Sequence, residues 1–339
     1  MYDIITFGSA TKDIFLKAKD FKTVRGKEFV TGKGVCFNLG SKVEIKDIMF
    51  SSGGGGTNTA ATFAKQGFKV AYCGAVGDDL AGSEIIQELD TIGIDTKLIK
   101  RTNEKPTNHS IVISGVGDDR TILVYRGASE HLESKDIPWD ALKTQWIYIA
   151  PLSGELCGVF GHLIDFAVKN KIKIALNPGK CQLTLPSKVL RRALNKVDVL
   201  ILNQEEASIL TKIPYSKEKE IFKKIDEICP GIAIMTKGDK GVVLSDGEHL
   251  YRAKVLKTKI INRTGAGDSF GSGFVAGYIH TNGDINAAIQ LGTANASACL
   301  SELGSKTGLL KKGEKFAKVM VIKEECLKTG LCQCKVCGG

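Results

Sequence analysis

The chain has 339 residues, of which 43% are hydrophobic and 25% are charged, and its formal net charge is +10. This composition is typical of a folded globular protein and excludes a largely disordered chain. No apolar run approaches the roughly 20 residues of a membrane-spanning helix, and the N-terminus lacks a basic segment followed by an apolar one. The positive charge favours anionic partners such as phosphorylated metabolites, nucleotides or nucleic acid, but no nucleic-acid recognition module is visible. We therefore expect a cytoplasmic protein without a membrane or nucleic-acid partner.

The ten cysteines fall into two groups. Six are scattered singly among apolar residues, which predicts reduced and mostly buried thiols. These are Cys36, Cys73, Cys157, Cys181, Cys229 and Cys299. The other four crowd the C-terminus and could complete a tetrahedral zinc site. They are Cys326, Cys332, Cys334 and Cys337. Because one pair alone has the usual two-residue gap, an oxidisable tail is the interpretation that we favour.

The predicted elements begin with a strand at residues 4–7. A β-rich region with many glycines follows from residue 10 to residue 50, and helices are then predicted at residues 57–66 and 81–92. Two β-branched runs joined by a glycine- and aspartate-rich segment predict a hairpin over residues 110–125. We expect the two β-rich regions to form a small separate sheet that acts as a lid.

Five later runs are short, β-branched and bounded by polar or glycine-containing loops, which is typical of buried parallel strands. They are residues 70–73, 146–149, 172–176, 199–202 and 232–235. The helix-length segments between them indicate a βαβ sheet. Because ligand sites in such sheets lie at the carboxyl ends of the strands, we expect Asn177, Asn203, Thr236 and the loop before Asp268 to converge.

The strongest motif is Thr264-Gly265-Ala266-Gly267-Asp268, which leads into a helical pattern. Backbone N–H groups at such a helix start, together with the helix dipole, can form an anion hole for a phosphate. Asp268 could accept a proton from an attacking hydroxyl. It could equally be the N-terminal cap of the helix, and the residues alone leave both roles open.

A second glycine-rich segment, Gly53 to Gly56, is followed by Thr57 and Asn58 and again runs into a helix. Four glycines let the backbone approach a ligand closely, and the Asn58 amide can bind a polyol. The segment is no Walker loop, because the Gly-Lys-Ser/Thr ending is missing. A flexible loop without a ligand is the alternative.

Two predicted strands are followed by polar turns. Asn203 and Glu206 could position a hydrated Mg²⁺ near phosphates, or they could form a reciprocal helix cap. The turn from Thr236 to Gly241 carries two glycines and two lysines, which suits a nucleotide phosphate but also suits an ordinary β-turn.

Taken in order, these segments resemble the ribokinase-like, or PfkB, carbohydrate kinase family. The resemblance runs from about residue 3 to about residue 310 and includes Gly8-Ser9 with Asp13 near the N-terminus. It implies an α/β fold, the ribokinase-like three-layer α/β/α sandwich with a small β-sheet lid. It also implies ATP, Mg²⁺ and transfer of the γ-phosphoryl group to a hydroxyl of a sugar, sugar phosphate or nucleoside.

The resemblance also implies a role for individual residues. Asp268 resembles the family's catalytic base, and Gly265, Ala266 and Gly267 resemble its anion hole. The acceptor-binding positions are Asp13, Gly54, Gly55 and Asn58. The nucleotide side comprises Asn203, Glu206, Thr236, Gly238, Gly241 and Asn295, with Glu206 holding Mg²⁺ through water.

The resemblance further implies the domain organisation. Residues 1–322 would form the kinase domain, with a lid from about residues 14–50 and 104–128, and residues 323–339 would form the cysteine-rich tail. A homodimer paired through the lid is also implied, because lid strands often pair between subunits in this family.

Three departures from the family pattern concern the ligands. Asn262-Arg263 stand where many members have Asp-Thr, whose carboxylate helps to hold a monovalent cation, so the need for that cation is left open. Gly55 stands where ribokinase has a lysine, and Ser153 is the nearest match to its substrate glutamate. The acceptor is therefore expected to differ from simple ribose.

Parts of the sequence are also compatible with two other classes of protein. Gly271-Ser272-Gly273 fits a variant of the dinucleotide fingerprint of dehydrogenases, but it lies within a helical pattern rather than in a strand–helix turn. A non-catalytic sugar- or nucleotide-binding protein on the same fold is the alternative that we retain.

Overall fold

The computed structural model describes residues 1–18, 22–27, 29, 32–114 and 120–325. Within these ranges the strands are β1 (Tyr2–Phe7), β2 (Thr11–Ala18), β3 (Lys22–Arg25), β4 (Lys33–Cys36), β5 (Ile45–Gly53), β6 (Val70–Gly77), β7 (Ile99–Thr102), β8 (Asn108–Ser114), β9 (Arg120–Tyr125), β10 (Thr144–Ile149), β11 (Lys173–Leu176), β12 (Val199–Asn203), β13 (Ile232–Thr236), β14 (Val242–Ser245), β15 (His249–Ala253) and β16 (Val321–Glu325). The α-helices are α1 (Gly55–Lys65), α2 (Leu80–Ile92), α3 (Phe160–Lys169), α4 (Lys180–Leu183), α5 (Ser187–Leu194), α6 (Gln204–Thr211), α7 (Glu218–Asp226), α8 (Ala266–His280) and α9 (Ile285–Leu300).

The central sheet has the strand order β7-β6-β1-β10-β11-β12-β13-β14-β15-β16. Its first seven strands are parallel, and β14, β15 and β16 join them antiparallel to their neighbours. The predicted first strand and the five predicted buried runs are therefore confirmed as β1, β6, β10, β11, β12 and β13. The three antiparallel strands at the edge were not predicted.

Helices cover both faces of this sheet, so the predicted three-layer α/β/α sandwich is confirmed. Successive residues of β1 point to opposite faces: Ile5 packs in one hydrophobic cluster and Ile4 in the other. The first cluster includes apolar side chains of α3, α5 and α7, and the second includes those of α1, α2, α8 and α9. Each strand of the centre is thereby buried on two sides, which explains its continuous apolar sequence.

The predicted lid is present as a separate four-stranded sheet with the order β5-β2-β8-β9, next to a two-stranded β3-β4 ribbon. β8 and β9 are antiparallel, as the predicted hairpin requires, and the residues that join them lie outside the described ranges. The lid connects directly to the site, because β2 follows β1 and because β5 ends at Gly53, immediately before α1.

The prediction that the six scattered cysteines are unpaired and mostly buried is wrong in part. Cys157 and Cys181 form a disulfide with a Cα–Cα distance of 6.3 Å. They follow the neighbouring parallel strands β10 and β11, whose ends the sheet brings together, and a separation of 24 residues gives no sign of this. The thiols of Cys73, Cys229 and Cys299 are free and buried as predicted, whereas that of Cys36 is free and exposed.

Within the ranges given above, no helix combines the length and the apolar character that are needed to cross a bilayer.

Candidate active site

The glycine-rich segment after β5 brings the start of α1 against the start of the chain. Gly54 has a φ of +100°, and a Cβ added there would overlap the carbonyl of Ser9. A Cβ on Gly55 would lie 3.0 Å from the Cβ of Ala150 and 3.6 Å from Oδ1 of Asp268. Glycine at position 54 therefore lets the start of α1 approach the backbone at Ser9, and glycine at position 55 keeps a narrow space open beside Asp268.

Asp268 lies in the first turn of α8, where its carboxylate meets the N-terminal turn of α1. The Asn58 Nδ2 donates a hydrogen bond of 2.9 Å to the Asp268 Oδ2. The pKa of Asp268 is raised, because the effect of burial outweighs the lowering effects of this hydrogen bond and of the positive charge of Lys306. The N-cap of α8 is Gly265, which makes no side-chain cap, so the alternative that Asp268 is the N-cap is wrong.

The backbone at the start of α8 is open on the side of the cleft. Gly265 has a φ of +80°, and a Cβ there would lie 2.6 Å from the Cβ of Ser305. A Cβ on Gly267 would meet no heavy atom within 4 Å. The first N–H groups of a helix have no partner within it, and the helix dipole adds positive potential there. This turn can therefore accept an anion.

Two buried polar side chains line the space on the lid side of Asp268. Asp13, on β2, is 5% exposed, and burial raises its pKa to about 6 in spite of a hydrogen bond from Ser110 and the charge of Lys306. Asn58 is 4% exposed, and its Oδ1 has no hydrogen-bond partner in the described structure. A buried amide oxygen without a donor is costly, and a ligand hydroxyl would satisfy it.

A cavity of about 450 Å³ lies on the other side of the α8 N-terminus. Five residues predicted for the site line it: Thr236, Gly238, Gly241, Ala266 and Gly267. Its walls also include the apolar side chains of Val255, Leu256 and Phe270 and the cationic side chains of Lys254, Lys257 and Arg263. The volume suits a small-molecule ligand, and the mixture of apolar and cationic groups suits a base with phosphates.

Asn203 and Glu206 form the reciprocal cap of α6 that the sequence left open. The Asn203 Oδ1 accepts from the Glu206 N–H, and the Glu206 Oε2 accepts from the Asn203 N–H, each at 2.8 Å. Burial raises the pKa of Glu206, and the negative charge of Asp268 acts in the same direction. The cap therefore holds a carboxyl group whose pKa depends on the charge of Asp268.

Of the residues that were predicted to converge at the strand ends, only some lie at the cavity. Thr236 lines the cavity and is opposite Asn203 in the register of β12 and β13. The Asn177 Nδ2 instead donates to the carbonyl of Ile201 at 3.1 Å. Asn177 thus ties two strands together and is not among the cavity residues.

Asn295 also lies away from the cavity. Its Nδ2 donates to the carbonyl of Ser269 and its Oδ1 accepts from the Leu310 N–H, so it ties α9 to α8. Thr293, Ala296 and Ser297 of the same helix line the cavity instead. The fingerprint-like glycines lie within α8, and a Cβ on Gly273 would be 3.0 Å from Asn295. They allow close helix packing and do not form a dinucleotide turn.

The structure describes only some of the residues that were discussed as metal or cation sites. In the described part of the chain, no group of three or more His, Cys, Asp and Glu side chains could hold a metal ion. The four cysteines proposed for zinc lie outside the described residues. The Asn262 Oδ1 accepts from the Thr264 N–H at 3.0 Å, where a carboxylate was expected from the family pattern.

Lys306 is one of the residues near the site that the sequence did not predict. Its positive charge lowers the pKa of both Asp13 and Asp268, although it follows α9 and is far from Asp13 in the sequence. The sequence offers no signal for it, because Gly304-Ser305-Lys306-Thr307-Gly308 has the composition of an ordinary surface turn.

Comparisons with known proteins agree with this geometry. The sequence profile described as "pfkB family carbohydrate kinase" matches residues 30–312. A ribokinase of Lactococcus lactis is 28% identical over 287 residues, which cover 83% of this chain and 90% of the relative. A nucleoside kinase of Methanothermobacter thermautotrophicus is 25% identical over 274 residues, which cover 80% and 85%.

Solved structures show the same fold. The structure of Arabidopsis thaliana ribokinase, determined with ribose and ATP, has a TM-score of 0.75 at 21% identity and covers 91% of this chain and 96% of its own. The Methanocaldococcus jannaschii nucleoside kinase has a TM-score of 0.70 at 20% identity, with coverage of 91% and 95%. The profile match spans most of the chain, and the motifs lie together at one cleft. The chain therefore belongs to the pfkB family of carbohydrate kinases, which are phosphotransferases.

Proposed function

We propose that this chain transfers the γ-phosphoryl group of ATP to a hydroxyl of a sugar, sugar phosphate or nucleoside, with Asp268 as the base. The observation that carries the proposal is the position of Asp268. Its carboxyl lies in the first turn of α8, where it accepts a hydrogen bond from Asn58, and the preceding residues Ala266 and Gly267 line the cavity of about 450 Å³. ATP as the donor is supported by the Arabidopsis ribokinase structure determined with it.

The proposed reaction uses the two sides of the cleft together. The acceptor hydroxyl loses its proton to Asp268 while its oxygen forms a bond to the γ-phosphorus. The bond from that phosphorus to the bridging oxygen breaks, and ADP leaves with the electron pair. N–H groups at Gly265, Ala266 and Gly267 stabilise the charge on the transferred group, and the ordering of both substrates supplies the rest of the rate enhancement.

On the acceptor side, Asp13 and Asn58 provide acceptor oxygens for ligand hydroxyls, and the backbone at Gly54 and Gly55 lets the ligand approach. On the nucleotide side, Thr236, Gly238 and Gly241 border the cavity for the base and phosphates. Asn203 contributes through the cap that it forms with Glu206. Asn295 has a supporting role, because it fixes α9, which provides one wall of the cavity.

Glu206 is the carboxylate that we propose to hold Mg²⁺ through water. Mg²⁺ in nucleotide sites is held by one or two carboxylates, waters and phosphates, and the half-buried carboxyl of Glu206 fits that donor set. When bound, Mg²⁺ would neutralise phosphate charge. Glu206 itself orients water at its carboxylate and caps α6.

The direct test is an ADP-release assay with ATP and a panel of pentoses, hexoses, their phosphates and nucleosides, with Asp268→Asn as the control. We expect turnover of at least one acceptor by the wild-type protein and its loss in the variant. Binding of ligands without turnover of any acceptor would favour the alternative, a non-catalytic sugar- or nucleotide-binding protein on the same fold.

Replacing Glu206 with glutamine is expected to raise the Mg²⁺ concentration needed for half-maximal rate by about tenfold or more. Glutamine can keep the cap, because its side-chain oxygen accepts from the Asn203 N–H, so the melting temperature should stay unchanged. The measurement is the initial rate against free Mg²⁺ at fixed ATP. Glu205→Gln, an exposed neighbour of the same charge, is the matched control. An equal effect of both variants would contradict the proposed role.

The acceptor KM is expected to rise as the pH falls through about 6. Burial places the pKa of Asp13 at about 6, so the ionised form that accepts hydroxyl hydrogen bonds is lost as the pH falls below that value. Asp13→Asn should raise the acceptor KM at pH 8 by about 10–100-fold, the range for a hydrogen bond to a charged group. It should also remove the pH dependence of KM between pH 5 and pH 8.

The KM for ATP, measured in parallel, is the control for this titration, because Asp13 lies on the acceptor side. A wild-type acceptor KM that is constant from pH 5 to pH 8 would contradict the assignment.

The lid offers a surface for a second copy of the chain, as proposed for a homodimer. Seven of the large apolar side chains described in the lid sheet are exposed, namely Ile45, Ile48, Phe50, Ile122, Leu123, Val124 and Tyr125. They belong to β5 and β9, the two edge strands of the lid sheet. An exposed apolar patch of this kind is typical of a protein interface.

A further inference from the structure

The cavity of about 450 Å³ on the nucleotide side has a cationic lining. Among the described residues, three cationic side chains line it, namely Lys254, Lys257 and Arg263, with a single acidic one, Asp239. All three cations are exposed. None of them has a carboxylate at ion-pair distance in the described part of the chain. The lining therefore carries positive charge that the protein itself does not neutralise.

Cations next to this cavity are paired instead. Lys237 lies in the chain between two cavity residues, but it is not one of them, and it pairs with Glu218 at 2.6 Å. Arg252 also pairs with Glu218 and, at 2.8 Å, with Glu324. The fold thus neutralises the cations beside the cavity and not those that line it. A cationic group of this kind at a cavity wall is available to an anionic ligand.

Arg263 is the cavity cation that lies nearest in the chain to the start of α8. It precedes the N-cap, Gly265, by two residues, and Ala266 and Gly267 of the first turn line the same cavity. The first N–H groups of the helix have no partner within it, and the helix dipole adds positive potential there. The guanidinium group of Arg263 and the anion-accepting turn therefore border the same space.

The backbone that carries Arg263 is fixed on both sides. Before it, the N–H groups of Ile261 and Asn262 donate to the carbonyl of Leu300 at the end of α9, at 2.8 and 3.3 Å. After it, the Thr264 N–H donates to the Asn262 Oδ1 at 3.0 Å. The side chain of Arg263 takes part in none of these contacts. The fold therefore holds the position of Arg263 and leaves its guanidinium group for a ligand.

We propose that the guanidinium group of Arg263 binds the phosphates of the donor nucleotide beside the first turn of α8. A guanidinium group offers a planar fork of N–H donors that matches two oxygens of a phosphate, and such charge-assisted hydrogen bonds are stronger than neutral ones. Lys254 lies beside the turn at Gly241 instead, where an added Cβ would come 2.9 Å from the Lys254 Cα.

This inference rests on the proposed function, since it takes a nucleotide as the phosphoryl donor. Arg263 stands where many members of the family have threonine, so its role does not follow from the family resemblance. It adds a side-chain contact to the backbone N–H groups that were assigned to the phosphates. Affinity for the nucleotide should therefore depend on Arg263 only through the phosphates.

The first experiment measures the affinity of the wild type, Arg263→Gln and Lys259→Gln for adenosine, AMP, ADP and ATP by calorimetry in the presence of Mg²⁺. Arg263→Gln should raise the Kd for ATP by about tenfold or more, as expected for the loss of hydrogen bonds to a charged group. The Kd for adenosine should not change. Lys259→Gln is the matched control, because Lys259 is an exposed cation of the same segment that is not among the cavity residues.

The pattern of losses along this series decides the inference. The nucleotide at which the loss first appears identifies the phosphate that Arg263 contacts. An equal loss for adenosine and ATP would overturn the inference, because Arg263 would then act on the base or the ribose. An ATP affinity that stays at the wild-type value in Arg263→Gln, or that falls equally in Lys259→Gln, would overturn it too.

A conservative variant and added salt separate a direct contact from a change of shape. Arg263→Lys keeps the charge without the planar fork and should recover part of the ATP affinity. The Kd for ATP should rise more steeply with salt concentration in the wild type than in Arg263→Gln, because the variant lacks one charge pair that salt can screen. Equal slopes would contradict the contact. Because Arg263 is exposed, the melting temperatures without ligand should be the same.

Kinetic measurements show whether the contact operates during turnover. The KM for ATP should rise by about tenfold in Arg263→Gln, whereas the KM for the acceptor should stay constant. ATP binding by the wild type without turnover of any acceptor would overturn the proposed function, and the affinity series would still decide the role of Arg263. Failure of the wild type to bind ATP would overturn both.

Discussion

Replacing Asp268 with asparagine is expected to lower kcat by about 10²–10⁴-fold, the usual contribution of a general base. The substitution removes the site that takes the proton but keeps the size of the side chain. It also keeps an oxygen that can accept the hydrogen bond from Asn58, which is 2.9 Å long in the native site. The fold and both binding sites should therefore survive, and the loss should appear in the rate of phosphoryl transfer.

Single-turnover rates and ATP affinity of the two proteins separate these effects. ATP should bind the variant with wild-type affinity, because Asp268 is not among the residues that line the nucleotide-side cavity. Retention of more than a tenth of the wild-type single-turnover rate would contradict the assignment of Asp268 as the base. The melting temperature of the variant shows whether the fold is intact.

Replacing Gly265 with alanine is expected to damage both stability and catalysis. Its φ of +80° is unfavourable for any residue with a Cβ, and that Cβ would lie 2.6 Å from the Cβ of Ser305. Backbone strain and overpacking together should cost about 2–4 kcal/mol in the free energy of unfolding, or roughly 3–6 °C in melting temperature for a chain of this length. Movement of this turn should misalign the N–H groups and lower kcat by about 10²-fold.

Gly267→Ala is the matched variant for stability. The added Cβ meets no heavy atom within 4 Å, so the free energy of unfolding should be unchanged or rise by up to about 1 kcal/mol. Thermal unfolding of the two alanine variants therefore distinguishes the shape of the turn from its glycine content. Equal destabilisation of both would show that Ser305 does not constrain Gly265.

The elements that were predicted correctly carry their signal locally. The buried strands β6 and β10 to β13 are short runs of β-branched and apolar residues. Because both faces of these strands are buried, their sequences are continuously apolar, and their prediction does not depend on a polar–apolar alternation. The motif around Asp268 was also recognisable in the sequence, because glycines just before a helix indicate directly which backbone conformation is needed there. From the residues alone, however, base and cap could not be separated, since that choice depends on where the helix begins.

The features that were missed all depend on contacts between distant parts of the chain. The Cys157–Cys181 disulfide requires two parallel strands to end side by side, which single-residue spacing cannot reveal. Lys306 reaches the cleft because α9 returns the chain to the end of β5. Asn295 has a polar side chain of the kind that binds ligands, but its amide faces α8. In each case the role of the residue depends on the distant group that it contacts in the fold, and not on its own residue type.

The edge strand β16 links the end of the described chain to the nucleotide side through a series of ion pairs. Arg252 on β15 donates to Glu324 on β16 at 2.8 Å and also pairs with Glu218 of α7. Glu218 pairs in turn with Lys237 at 2.6 Å, and Lys237 stands between Thr236 and Gly238. A truncation meant to remove the cysteines at the C-terminus should therefore begin after residue 325. An earlier cut would remove the Glu324 ion pair, which is the first of the series that leads to Lys237 in the turn on the nucleotide side.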